Sequence, residues 1–214
     1  MATVRKWSGV AVAMQSVLGS ALTITGITKA SPGVVTSTAH GLANGDYVYL
    51  SISGMFQLDG KVVRVDNSAT NTFELEGVDT TSFDTFSSGS AYKITFGTSI
   101  TTATSMSASG GDFDFIDTTT IHSNVKTQIP GQANPISYSF DNLWDISDAG
   151  QVAMKSATDA QAIRAFKFTF GTGGPIMVFA GYVGFTGAPT GQAQDKVVSP
   201  ASITAFGTPT YYAS

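Results

Sequence analysis

Residues 111–144, GDFDFIDTTTIHSNVKTQIPGQANPISYSFDNLW, decide how the rest of the chain is read. Phe113 and Phe115 fall on one face of an extended segment, and Ile136, Tyr138 and Phe140 on one face of another. That is the period-two pattern of half-buried strands. Between them lie a threonine-rich turn at Thr118, Thr119 and Thr120 and a loop at Pro130-Gly131. The stretch builds a sheet, and nothing in it resembles an active site.

Composition narrows the class further. The chain has 214 residues, enough for one large all-β domain or two small ones with a real core. Charged residues make up 12%, about half of the roughly 25% usual in soluble domains. Ser, Thr and Gly carry most of the polarity, and such a surface desolvates cheaply. Burying a hydrogen-bonded hydroxyl costs far less than burying an unpaired charge. This favours surface made for contact with other subunits, although a neutral β-protein working alone has the same composition.

The absence of cysteine excludes disulfides, thiolate zinc sites and cysteine nucleophiles. In residues 1–20, Arg5 and Lys6 precede the short apolar run from Val10 to Met14, but Gln15 and Ser16 interrupt it, so a strand is expected rather than an export signal. No segment approaches the length of a membrane span. With a net charge of −4 and no dense cluster of Lys or Arg, tight nucleic-acid binding is not expected.

Texture changes near Ile27 and Phe96 divide the chain into a discontinuous domain, 1–26 with 96–214, and an inserted small β-barrel, 27–95. Within the insert, strands are expected over 33–38, 47–52, 61–65, 72–75 and 91–96. Val48, Leu50 and Ile52 share one face, as do Val63 and Val65, and the turns carry Asn44-Gly45 and Asp59-Gly60. His40-Gly41-Leu42, Gly45-Asp46, the alternating strand after it, Leu58-Asp59-Gly60 and Thr72-Phe73-Glu74-Leu75 resemble the first catalytic-cysteine half-domain (FCCH-like) of ubiquitin-activating enzymes. The resemblance covers about a third of the chain and carries a fold only, since the adenylation domain and catalytic cysteine are missing.

In the larger domain, residues 97–111 are rich in Ser, Thr and Gly and read as a long mobile loop. One helix is expected near 148–157, with Ser147 as cap and Val152, Ala153 and Ala157 as its apolar stripe. Phe166, Phe168 and Phe170 alternate with polar or small residues and point inward. Gly171 to Gly174 forms a turn, and residues 175–185, apolar or small on both faces, must be covered on both sides by the helix or a neighbouring subunit. Residues 201–206 alternate again and are expected to close the sheet.

The order of these parts, from Trp7 and Met14-Gln15 through FIDTTTI, Pro130-Gly131, Leu143-Trp144, Gly181-Tyr182-Val183 and Pro189-Thr190-Gly191, is similar to major tail-tube proteins of long-tailed bacteriophages. The resemblance covers nearly all residues outside the insert. It implies an all-β tail-tube β-sandwich with one flanking helix, and a virion protein made in the host bacterial cytoplasm. Its homohexameric rings would stack into a tube for DNA passage, with tape-measure, tail-terminator and tail-tip proteins as further partners and no membrane insertion. The candidate ring-stacking residues are Val4, Arg5 and Trp7 in the N-terminal arm and Thr101, Thr102, Ser105 and Met106 in the 97–111 loop. Asp112 and Asp114, projecting away from the Phe113 and Phe115 face, are candidate channel-facing acids. The inserted barrel has no essential place in a ring and is expected on the outer wall.

Other chemistry finds little support. His40 and His122 lie in different modules without clustered zinc ligands; His40 is expected to hydrogen-bond the backbone of its glycine turn, and His122 to lie at the surface. Asp112, Asp114 and Asp117 do not fit a calcium loop, because Ile116, Asp117 and Ser123 stand where an oxygen ligand, a glycine and a glutamate are needed. No nucleophile elbow or phosphate loop is present. No catalytic, metal or cofactor site is therefore assigned, and no enzyme activity. The alternative function is a monomeric or small-oligomer β-rich binding module, adhesin-like or carbohydrate-binding, which would use exposed aromatics such as Tyr211 and Tyr212. A hydrolase is the weakest option.

Overall fold

Alternation of apolar and small polar residues makes most of this chain into strands, and the long ones thread it together. The computed structural model describes Lys6 and residues 9–213. The strands are β1 (Val10–Ile24), β2 (Gly26–Ile27), β3 (Val34–Thr36), β4 (Tyr47–Ser53), β5 (Val62–Asp66), β6 (Thr72–Leu75), β7 (Ser88–Ile100), β8 (Ala103–Ser109), β9 (Phe113–Asp117), β10 (Gln128–Ala133), β11 (Ser137–Leu143), β12 (Ile163–Phe170), β13 (Ile176–Phe185) and β14 (Val198–Tyr212), with one helix, α1 (Ala149–Asp159). Twelve strands form a single antiparallel sheet in the order β2-β3-β6-β5-β4-β7-β1-β12-β13-β14-β11-β8, and β9 with β10 makes a separate ribbon. The expected all-β fold with one flanking helix is present, as a large sheet curled into a half-barrel.

Three clusters of buried side chains hold it. In the first, the inward faces of β12, β13, β14 and β11 meet α1, with Phe166, Phe168, Phe179, Ile203, Tyr138 and Met154 at its centre. Phe179 stacks on Tyr138 at 4.9 Å between ring centroids and on Phe166 and Phe168 at 5.7 and 5.8 Å. Aromatic stacking of this kind adds to simple area burial. A second cluster, built on Val48, Leu50, Val63, Val65, Phe73 and Leu75, is enclosed by β3 to β7. Gly45 and Gly60 turn there with positive φ, as their sequence context suggests.

The third cluster joins the two regions. Val62 and Ile94 pack on Ala165, Val178, Ala180 and Tyr212. Residues 176–181 are thus covered on both sides within one chain, by α1 and the first core on one face and by β4, β5 and β7 on the other, whereas Tyr182 and Gly184 remain exposed. The Tyr212 hydroxyl accepts a hydrogen bond from the Arg64 backbone N–H at 2.6 Å, and the Arg64 guanidinium lies 4.6 Å from the Tyr212 ring centre. Arg64 in turn makes a two-pronged ion pair with Glu76. β1 and β7 pair along nearly their whole length, so they join β4, β5, β6, β3 and β2 on one side to β12, β13, β14, β11 and β8 on the other. Where β1 bulges at Gln15, that side chain accepts the backbone N–H of Ala165 at 3.0 Å. It gives Ala165 an acceptor just past the end of the β1–β12 ladder, which stops at Met14 opposite Phe166.

The structure corrects several expectations. Residues 97–111 are the end of β7, a short turn at Thr101-Thr102 and all of β8, where Met106 packs on the first core. Hydroxyl-bearing residues here satisfy a ladder rather than a loop. β14 does not close the sheet; it lies inside it between β13 and β11, and β8 is the edge. Pro130 and Gly131 belong to β10. Phe113 and Phe115 are exposed, because the ribbon that holds them has no second layer. α1 is capped by Asp148, whose carboxylate accepts the Gln151 N–H at 2.9 Å. Ser147 is held instead by Asp145, which accepts both its N–H and its hydroxyl.

Candidate assembly surfaces

β8 and β11 pair from Ser109 opposite Ser137 to Ala103 opposite Asn142. Both then continue outward, through Gly110-Gly111 on one side and Asn134-Pro135 on the other, into β9 and β10. The result is one long ribbon with an elbow. Gly110 and Gly111 turn at φ +85° and +84°, and a Cβ on Gly110 would stand 2.2 Å from the Pro135 carbonyl oxygen. A side chain there cannot be accommodated without opening the elbow.

Beyond the elbow the arm exposes Phe113, Phe115, Ile116 and Ile129, each more than half exposed, and its tip exposes Ile121 and Val125. Phe113 and Phe115 lie on one face of this two-stranded ribbon, and Ile116 with its cross-strand partner Ile129 on the other. The tip is ordered by its own hydroxyls: Asp117 accepts the N–H of Thr119, and Thr118 and Thr127 bridge the strands. Hydrogen bonds from the Thr119 hydroxyl and backbone N–H, helped by Lys126, hold the Asp117 carboxyl below its usual range.

At the foot of the arm, β8 ends the sheet and leaves one side unpaired among the described residues. A cleft of about 470 Å³ runs along this side, lined by the start of β1 (Val10–Ala13), the end of β7 and β8. Unpaired edges invite further strands unless blocked by charge or proline, and β8 carries neither. A buried polar network steadies the cleft's end. Gln151 donates to the Leu143 carbonyl at 2.6 Å and to the Thr102 hydroxyl at 3.2 Å, and that hydroxyl donates to Asn142.

The outward face of the same strands is a ladder of hydroxyls. Cross-strand rungs run Ser109, Ser137, Thr204, Tyr182; Ser107, Ser139, Ser202, Gly184; and Ser105, Asp141, Pro200. Ser105 donates to Asp141 at 3.3 Å, and the Ser107 and Ser202 hydroxyls reach the carbonyls of Ser139 and Gly184 at 3.5 Å. The inward residues of the same strands, Met106, Tyr138, Phe140, Ala201, Ile203 and Val183, belong to or pack on the core.

Of the residues singled out from sequence, Thr101 and Ser105 are exposed at the cleft, Thr102 is engaged in the polar network and Met106 packs on the core. Asp112 and Asp114 are exposed at the base of the arm, where Asp114 accepts from Asn134 at 3.2 Å. Val4, Arg5 and Trp7 lie outside the described residues. His122 is exposed at the arm's tip; His40 is buried, accepts the Leu42 N–H on Nδ1 and donates from Nε2 to the Thr72 carbonyl. Sequence reading missed the β8 edge, the elbow and the exposure of the arm. The alternation of Ser with Tyr138 and Phe140 was the available signal for the hydroxyl face.

The described residues form an all-β subunit with an open sheet edge and an exposed apolar arm. A family model described as phage tail tube protein matches residues 53–214, well over half of the chain, and the chain belongs to that family. It is a structural protein rather than an enzyme. The match starts inside the 27–95 segment and continues past its end, and it gives no support to a module of ubiquitin-activating type. No curated protein matches the chain.

Proposed function

We propose that this chain forms homohexameric rings that stack into the tail tube of a bacteriophage virion, the channel for DNA during ejection. The observation that carries the reading is the exposed apolar arm of β9 and β10 growing from the same ribbon whose β8 edge is unpaired. An arm that buries its phenylalanines against a neighbour, and an edge that receives a strand, are the two halves of a head-to-tail contact, which closes into a ring when its rotation allows. Thr101 and Ser105 stand where the next ring could touch, and Asp112 and Asp114 are proposed to face the channel. The tape-measure, tail-terminator and tail-tip proteins are the proposed further partners, with DNA passing without specific binding and assembly in the host cytoplasm.

The 27–95 region is proposed to sit on the outer wall as a distinct barrel, supported by its own core. Its shared cluster with β12 to β14 fixes it rigidly to the tube sheet.

Negative-stain electron microscopy of the purified protein across a concentration series tests the reading. Rings or tubes with a central channel are expected. Uniform small particles at every concentration, also when a tail-tip initiator is added, would overturn it in favour of a binding module.

A further inference from the structure

We infer that the end of β14, residues 210–212, is a latch that holds the 27–95 region down on the sheet of β12, β13 and β14, and that this region hinges where β1 leaves β12. The device belongs to the single subunit and does not depend on ring formation.

The hinge is built from two bulges at one level. The β1–β12 ladder stops at Met14 opposite Phe166, and from there on, among the described residues, β1 pairs only with β7. In the β1–β7 register Met14 stands opposite Thr98, Gln15 opposite Phe96 and Val17 opposite Thr95, so Ser16 and Gly97 are each left without a cross-strand partner. Bulges bend the strands that carry them. A Cβ on Gly97 would stand 2.5 Å from the Ser16 hydroxyl, so the glycine gives the two bulges room to lie against each other. Past this level β1 and β7 carry the 27–95 region away from β12 as a two-stranded stem.

The contact that brings the region back onto the sheet depends on one large side chain. The sheet offers Ala165, Val178 and Ala180, which are short, and Tyr212, which is not. Tyr212 is 6% exposed; its hydroxyl accepts the Arg64 N–H, its ring lies against the Arg64 guanidinium, and Tyr47 meets it edge-on at 6.4 Å. Glu76, from the same region as Arg64 and Tyr47, holds the guanidinium in place. The remaining contacts are lighter: Phe206, which lies against Gly60, is 40% exposed, and the Lys167 ammonium reaches Tyr47 through its ring face at 5.4 Å.

The segment that carries Tyr212 is itself lightly held. Past Ala205, β14 is paired on one side only, by β13, among the described residues. Residues 207–209 then bulge out between Phe206 opposite Ala180 and Thr210 opposite Val178, with Gly207 at φ +79°. Beyond the bulge the pairing runs only from Thr210 opposite Val178 to Tyr212 opposite Ile176. Short strand ends open far more readily than the cores they touch. Opening this one removes the acceptor of the Arg64 N–H and the ring beside its guanidinium in one step, while the second cluster, which holds the 27–95 region together, is untouched. With the latch closed the region is one body with the sheet; with it open the region swings on its stem.

The chain has no cysteine, so paired spin labels can be placed without a background. Thr70→Cys with Ser156→Cys measures the region against α1, and Thr70→Cys with Ser82→Cys measures within the region; all three positions are exposed. Electron–electron double resonance on dilute free subunits is expected to give one narrow distance for each pair. Adding Tyr212→Ala should give the first pair a second distance population and leave the second pair unchanged. A single unchanged distance for the first pair would overturn the latch. Broadening of both pairs together would overturn the hinge, because the region would then be coming apart rather than swinging. Should Tyr212→Ala not fold, hydrogen exchange in the unmodified protein decides. The Arg64 amide is expected to exchange at least about tenfold faster than that of Val65, which bonds the Asp46 carbonyl inside the region at 2.8 Å. Equal protection of the two amides would mean that the latch opens only when the region unfolds, and would overturn the inference. Neither measurement needs tubes, so a failure of the ring reading leaves both outcomes readable.

Discussion

Replacing both arm phenylalanines, Phe113→Ser with Phe115→Ser, should raise the concentration needed for assembly without changing the fold. The two side chains are 52% and 62% exposed in the free subunit. Full burial of a Phe is worth about 1.5–3 kcal/mol. Covering the exposed fractions in a neighbour contact therefore supplies about 0.8–1.9 kcal/mol each, or about 1.7–3.4 kcal/mol for the pair. At about 1.4 kcal/mol per tenfold, the threshold concentration should rise about 20- to 300-fold. Sedimentation of assembled material over a dilution series reads the threshold directly. Neither ring belongs to a buried cluster, so the melting temperature of the subunit should stay with that of the parent. An unchanged threshold would refute the arm as an assembly contact; a lowered melting temperature would show that it belongs to the monomer's core.

Other expectations follow from the cores. Phe179→Ala removes the ring on which three other aromatics stack and should cost about 3–5 kcal/mol in urea unfolding. Gln15→Ala leaves the buried Ala165 N–H without its acceptor; a loss of about 1–3 kcal/mol and faster hydrogen exchange at that amide are expected. Tyr212→Phe should cost less than Tyr212→Ala, because the ring over Arg64 survives while only the hydroxyl acceptor is lost, and denaturant midpoints rank the two. Burial raises the Tyr138 phenol from 10.0 to about 12. Its neutral form is favoured in the folded state, so the contribution is intact below pH 10 and is lost between about pH 10 and 12. Phenolate absorbance and circular dichroism followed together should show Tyr138 ionising only as the sheet comes apart, a coupling that Tyr138→Phe would remove.

The strands between Val34 and Leu75 were readable because they alternate cleanly and their turns carry Asn-Gly and Asp-Gly, so local pattern and tertiary packing agree. The helix was readable for the same reason, but its cap was not. Ser147 and Asp148 are both good caps, and the choice depends on Asp145 taking Ser147 into its own turn. β8 was hidden by composition. A strand with one face of serines and the other of small residues around Met106 shows no strong apolar period, and Gly, Ser and Thr are also what loops are made of. Pro130 misled in a related way, since proline is tolerated where a strand has only one partner, and among the described residues β10 pairs only with β9. For Phe113 and Phe115 the period was right and the burial wrong, because period two reports a face and not what covers it. The polar core residues Gln15, Asn142 and Gln151 gave no signal at all, since their partners Ala165, Ser199 and Thr102 are distant in sequence.

The elbow at Gly110-Gly111 carries a consequence of its own. An arm that reaches a neighbour transmits its direction to that neighbour, so in a closed assembly the bend between β8 and β9 becomes the angle from one subunit to the next. Pro135 lies so close to Gly110 that the bend has little room to vary. On the proposed ring, subunit number per turn would then be set by two glycines and the proline opposite them rather than by how tightly the arm binds. Gly110→Ala should change the count or the closure of rings, giving open helical ribbons or a different symmetry, while the affinity of the arm for its neighbour is left nearly as it was.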